Sequence, residues 1–144
     1  MLSPLAYWIL LLCVAGYAFA RGQVDERWAA AICVAATIGT MLVHSPLHAR
    51  FSSVEIGVFI VDLLALAAFT AIALRTDRFW PLWVAGLQLT TTFAHLLKAV
   101  DLQLMPQVYA AAARLWVYPI FLIIVIGTWR SGRREDEAGS LQAI

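Results

Sequence analysis

The sequence predicts an all-α fold, an integral membrane bundle of five transmembrane helices with its N-terminus outside and its C-terminus in the cytoplasm. Three observations carry this expectation. First, 62% of the 144 residues are hydrophobic and 13% charged, and the mean hydropathy is +0.82, which leaves too little polar surface to cover a water-soluble domain. Second, the apolar residues gather into five stretches, each close to the roughly 20 residues that cross a bilayer as helix. Third, the 10 basic residues are unevenly shared among the gaps. Arg21 and Arg27 follow the first stretch, Arg75 and Arg78 the third, and Arg130, Arg133 and Arg134 the fifth. Only Arg50 and Lys98 occupy the alternate gaps, and Arg114 lies inside a stretch. Basic residues are retained on the cytoplasmic side, so the asymmetry sets both the number of crossings and their direction.

The first stretch, Pro4 to Ala20, ends in Ala18-Phe19-Ala20, a run of the small-residue kind found at signal cleavage sites. Its flanks are reversed for a signal peptide: Met1-Leu2-Ser3 carries no basic residue, while Arg21 and Arg27 come after the run, so retention as a helix is expected. Cys13 follows Leu12 rather than the small residue of a lipoprotein signal, and both cysteines fall within spans, which argues against a disulfide framework. The second stretch runs from Trp28 to Val43, and Ser45-Pro46 breaks the chain after it. The third, Val54 to Leu74, opens on Ser52-Ser53-Val54-Glu55, a capping-box pattern. The fourth, Leu82 to Val100, follows Pro81, and the fifth, Val108 to Thr128, follows Pro106; both prolines stand where a missing backbone donor is tolerated. Trp28, Trp80, Trp83 and Trp129 lie near the ends assigned to the cytoplasm, where an indole keeps its ring in the acyl boundary and its N–H in water. Residues 1–129 thus form the membrane domain, and 130–144, with mixed charges, Gly139 and Ser140, form a cytoplasmic polar tail expected to be solvated and poorly ordered.

Hydropathy is weakest in the fourth stretch, which contains Gln88, Thr90, Thr91, Thr92, His95 and Lys98. Laying it in the interface would reverse the fifth stretch and carry Arg130, Arg133 and Arg134 outward, against the charge rule, so it is expected to span and to pack inside the bundle. At about 100° per residue, Gln88, Thr91, Thr92, His95 and Lys98 share roughly a third of the circumference. Such a stripe serves either a hydrated path or hydrogen bonding between helices; Thr and Gln commonly do the second, and a lysine near a helix end reaches outward to the surface.

Asp62 is the most informative single residue, because a carboxylate near the middle of a span costs about 2.5–3.5 kcal/mol. The Val, Ile, Leu and Phe residues around it return roughly 0.3–0.6 kcal/mol each, so the helix still inserts while the acid seeks a partner within the bundle. With a rise of about 1.5 Å per residue, Asp62 lies about 12 Å below the outer end of its span, His95 about 8 Å and Arg114 about 9 Å. These three form one layer, and pairing Asp62 with Arg114 hides both charges most cheaply. The candidate polar cluster is therefore Asp62, His95, Arg114, Gln88, Thr91, Thr92 and Lys98.

His44 and His48 stand at i and i+4 and could join His95 or Glu55 around a metal, but Pro46 between them interrupts a helical face and Glu55 already serves the capping box; neither metal nor haem is expected. In the fifth stretch Pro119 removes one backbone donor, so a kink is expected just after Arg114 and Trp116. Finally, Arg21 to Trp28 reads R-G-Q-V-D-E-R-W and Arg75 to Trp80 reads R-T-D-R-F-W. This echo arises either from a duplicated two-helix unit or from the shared composition of arginine–tryptophan anchors.

The segments Asp77-Arg78-Phe79-Trp80-Pro81-Leu82-Trp83-Val84-Ala85-Gly86 and Gly127-Thr128-Trp129-Arg130 resemble those of small uncharacterised multispanning proteins of alphaproteobacteria, sphingomonads in particular. The resemblance implies the inner membrane of a Gram-negative cell and brings no activity, cofactor or catalytic residue. A membrane enzyme is disfavoured, since the chain has no Gly-x-Ser-x-Gly, no His-Glu-x-x-His and no readable pair of catalytic carboxylates. The expected function is that of a non-enzymatic accessory or structural subunit; the alternative is a small permease or proton-linked carrier using the polar cluster. The expected partners are the lipid bilayer and either further copies of the chain or a larger membrane complex. A net charge of +1 gives no reason to expect nucleic acid.

Overall fold

A computed structural model describes residues 4–43, 56–100 and 115–142, and among them no strand occurs. Five helices account for nearly all of these residues: α1 (Pro4–Arg21), α2 (Val24–Val43), α3 (Ile56–Arg75), α4 (Trp80–Val100) and α5 (Val117–Gln142).

The chain reverses between α1 and α2 in two residues, Gly22 and Gln23. The Gly22 N–H donates to the Ala18 carbonyl at 2.8 Å, closing the end of α1. A Cβ on Gly22 would stand 2.4 Å from that carbonyl oxygen and 2.9 Å from Glu26 Cβ, so the turn is tight enough to require glycine. Helix α2 starts at Val24, ahead of Trp28 where the apolar run opens. Asp25 and Glu26 fall in its first turn, where negative side chains complement the positive end of the helix dipole. Arg27 reaches back, its Nε–H donating to the Gly22 carbonyl at 2.9 Å. Between α3 and α4 the Thr76 N–H donates to the Ile72 carbonyl at 3.1 Å. Pro81 then lies in the first turn of α4, where no intrahelical acceptor is lost.

Two features of α5 concern its ends. A turn at Trp116 separates helical Leu115 from the start of α5 at Val117, so the helix is interrupted just before Pro119, which falls in the first turn of α5. At its other end α5 continues past Arg130 to Gln142, through the segment whose composition predicts a poorly ordered tail. Local interactions support that extension: the Arg133 guanidinium lies 5.3 Å from the centre of the Trp129 ring one turn back, and Arg133 and Glu137 have the i, i+4 spacing of a helical ion pair.

The helices form a closed ring. Each packs against its neighbour in sequence, α5 returns to α1, and a further contact joins α5 to α2. Inside lie Leu11, Val14, Ala15 and Ala18 of α1, Ala29 and Ala30 of α2, Ala65 and Phe69 of α3, Val84 of α4, and Ile120, Phe121 and Ile124 of α5. The many alanines let backbones approach closely, the usual packing device of membrane helices. Glycine does the same at the α2–α3 contact, where a Cβ on Gly57 would meet Val43 Cβ at 2.8 Å. Tyr7 of α1 and Thr37 of α2 are hydrogen-bonded at 2.8 Å across that pair of helices.

The outer surface is apolar. Leu5, Leu12, Leu42, Leu64, Leu74 and Leu122 are each at least 60% exposed, a surface suited to lipid and not to water. Helices α1, α2 and α3 are long and apolar enough to cross a membrane. In α4 the polar stripe lowers the hydropathy, and α5 as described holds only the later part of the fifth apolar stretch.

The arginine-rich gaps meet in space. The α1–α2 turn and the α3–α4 turn both sit against the stretch of α5 that carries Ser131 and Gly132, so Arg21, Arg27, Arg75, Arg78, Arg130, Arg133 and Arg134 gather at one end of the ring. Trp28, Trp83 and Trp129 face outward near this end. Trp80 instead turns inward and lays its ring over Gly127, 3.4 Å from where a Cβ would stand.

Candidate functional site

The sequence singles out Asp62 and His95, and the structure brings them together across α3 and α4. His95 Nε2 lies 2.9 Å from Asp62 Oδ2, and both side chains are mostly buried. Two turns earlier on the same face of α4, Gln88 directs its Nε2–H2 group at Asp62 Oδ1 (3.3 Å) and at the Asp62 carbonyl (3.4 Å). Both carboxylate oxygens are therefore occupied by α4 side chains. The sequence expectation also pairs Asp62 with Arg114. Arg114 lies outside the described residues, as do His44, His48 and Glu55, and the side chain of Lys98 is likewise not among those described.

Thr91 and Thr92 are buried on the same helix, but their hydroxyls turn back onto its own backbone. Thr91 Oγ1 donates to the Leu87 carbonyl at 3.3 Å and Thr92 Oγ1 to the Gln88 carbonyl at 3.0 Å. Thr90, exposed, does the same to the Gly86 carbonyl at 3.1 Å. These donors are used within α4, so among the described side chains of the stripe Gln88 and His95 are the ones that reach across to α3. Among the described residues no three His, Cys, Asp or Glu side chains converge as metal ligands.

A second cluster, which sequence reasoning missed, lies at the arginine-rich end. Glu26, in the first turn of α2, is fully buried. Its Oε1 accepts from Arg78 Nη1 at 2.5 Å and from the Ser131 hydroxyl at 2.6 Å, while the same hydroxyl accepts from Arg78 Nη1 at 2.6 Å. Carboxylate, guanidinium and hydroxyl thus close a ring that joins α2, the α3–α4 turn and α5. Arg78 Nη2 adds a bond to the side-chain carbonyl of Gln23, tying in the α1–α2 turn. Glu26 Oε2 is buried without a hydrogen-bond partner among the described residues, and so is Trp80 Nε1, two residues after Arg78. The rise of about 1.5 Å per residue puts Asp62 roughly 20 Å along α3 from its arginine end, so the two clusters occupy different depths.

No protein family, curated protein or solved structure matches the chain. The chemistry must be read from the clusters themselves. In each, a carboxylate from one element is engaged by side chains of others in a largely apolar interior, an arrangement that holds elements in register and resists the loss of either partner. The Asp62–His95 pair has a further capacity: an imidazole can donate or accept a proton through its ring nitrogens, and here one stands against a carboxylate within a helix bundle.

Glu26 escaped notice because the second apolar stretch begins at Trp28, which makes Glu26 look like an acid in a connecting loop. A signal was nevertheless present. The two segments that echo one another, Arg21 to Trp28 and Arg75 to Trp80, are the two that meet here, one supplying the acid and the other the base.

Proposed function

We propose that this chain is a multi-pass protein of the inner membrane of a Gram-negative bacterium, crossing five times with its N-terminus outside and its C-terminus in the cytoplasm. Gathering of seven arginines at one end of the ring supports this orientation through the preference of basic residues for the cytoplasmic face. A green fluorescent reporter fused after Ile144 is expected to fluoresce in cells and an alkaline phosphatase fused there to be inactive; the opposite pair of results would reverse the topology.

Within the membrane its role is that of a non-enzymatic accessory or structural subunit, acting with the bilayer and with further copies of itself or a larger complex. The observation that carries this reading is the engagement of Asp62 by His95 and Gln88, which spends both carboxylate oxygens on contacts between helices. A proton-linked carrier is the second reading, favoured by the same acid–imidazole pair. Asp62→Asn separates them. A structural subunit is expected to lose thermal stability in detergent, whereas a carrier folds normally and loses proton-coupled flux, or its pH dependence, in proteoliposomes. Wild-type behaviour in both assays would remove Asp62 from either role.

A further inference from the structure

At the arginine-rich end a cleft of about 260 Å3 opens between the α3–α4 turn and α5. Its wall changes character along the helix axis. Phe79, the Trp80 ring over Gly127, Ile123 and Ile126 form the apolar part, and Arg78, Arg130 and Arg134 form the rim, with Asp77 the acid among the described residues that line it. Arg130 and Arg134 are one turn apart on α5, so both reach the same side of the cleft. Arg78 is held in place from behind by Glu26, Gln23 and Ser131.

We propose that this cleft binds one anionic phospholipid, its phosphate at Arg130 and Arg134 and its glycerol and first acyl carbons along Phe79, Ile123 and Ile126. The inference rests on the membrane reading above. Two features fit the ligand together: the excess of positive charge at the rim and an apolar wall that continues onto the exposed leucine surface of the bundle. Basic pockets between membrane helices on the cytoplasmic side select acidic headgroups by the same complementarity, whereas a zwitterionic headgroup brings its own cation to the rim and forfeits it. A soluble phosphate would meet the arginines but leave the apolar wall empty.

The test uses the full chain purified in a mild non-ionic detergent, with retained lipid counted by native mass spectrometry and thermal stability followed during titration. Phosphatidylglycerol is expected to bind one per chain and raise the melting temperature; phosphatidylcholine and inorganic phosphate at matched ionic strength are not. Arg130→Gln/Arg134→Gln is expected to weaken phosphatidylglycerol binding at least tenfold, while Arg133→Gln, whose guanidinium lies over Trp129, leaves it unchanged. Equal responses to the two lipids, full effect from inorganic phosphate, or wild-type binding by the double variant would each overturn the proposal. Alkaline extraction of cell membranes keeps the two claims apart. A chain released by it would refute the membrane reading itself, whereas a chain that stays in the bilayer without lipid preference would refute the lipid site alone.

Discussion

Glu26→Ala is expected to destabilise the protein by about 3–5 kcal/mol, the range for removing one partner of a buried ion pair. The size follows from burial. Glu26 is wholly inaccessible and the Arg78 side chain is 21% exposed, so the guanidinium left behind has little water to replace the lost carboxylate. Ser131 loses its acceptor in the same step, and three elements that met at one oxygen are no longer tied: α2, the α3–α4 turn and α5. Thermal melting in detergent measures the loss. Glu26→Gln is expected to fall between wild type and alanine, because an amide oxygen can still accept from Arg78 and Ser131 but carries no charge, and the amide NH2 enters a position where Oε2 has no partner. Glu26→Leu combined with Arg78→Met should recover much of the loss, since an apolar pair leaves no buried charge unmatched. A melting temperature for Glu26→Ala equal to wild type would show that this network does not hold the helix ends together.

The contrast between the two clusters shows what a sequence reveals in a membrane protein and what it conceals. Asp62 and His95 were legible because each interrupts an apolar run, and a polar residue inside such a run has few reasons to be there. Their common depth followed from topology and helical rise alone. The contacts themselves did not: the rotation of α4 about its axis, with Val84 and Ala85 packed toward neighbouring helices, turns His95 and Gln88 toward Asp62. Glu26 was concealed for the opposite reason. It stands where a helix end meets a turn, among Asp25, Arg27 and Gln23, in company that normally faces water. What buries it is the approach of Arg78 and Ser131, residues 52 and 105 positions further along the chain, and no local pattern reports contacts of that range. The apolar stretches, their turns and their prolines were readable because each rests on the chemistry of a few adjacent residues. The inward turn of Trp80 was not, since it depends on Gly127 leaving room on a different helix.

The Asp62–His95 contact is expected to yield a large coupling in a double-mutant cycle of Asp62→Leu and His95→Leu. Each single change removes a partner from a mostly buried pair, and each is expected to cost roughly 1–3 kcal/mol, the range for stranding a buried polar group. His95→Leu is the milder on geometric grounds, because Gln88 still donates to Asp62 Oδ1, whereas Asp62→Leu removes the carboxylate from both Gln88 and His95 at once and leaves Gln88 the residue-62 carbonyl. The double variant places two leucines where α3 meets α4, in surroundings already rich in leucine, valine and alanine. It should therefore lose less stability than the two single changes added together, with a coupling energy of about 0.5–3 kcal/mol. The same variant divides the two functional readings more sharply than any single substitution, because it removes the chemistry while keeping the fold. If the pair serves only to join α3 to α4, a stable double variant retains every cellular role of the protein. If protons pass through it, the double variant is equally stable and transports nothing.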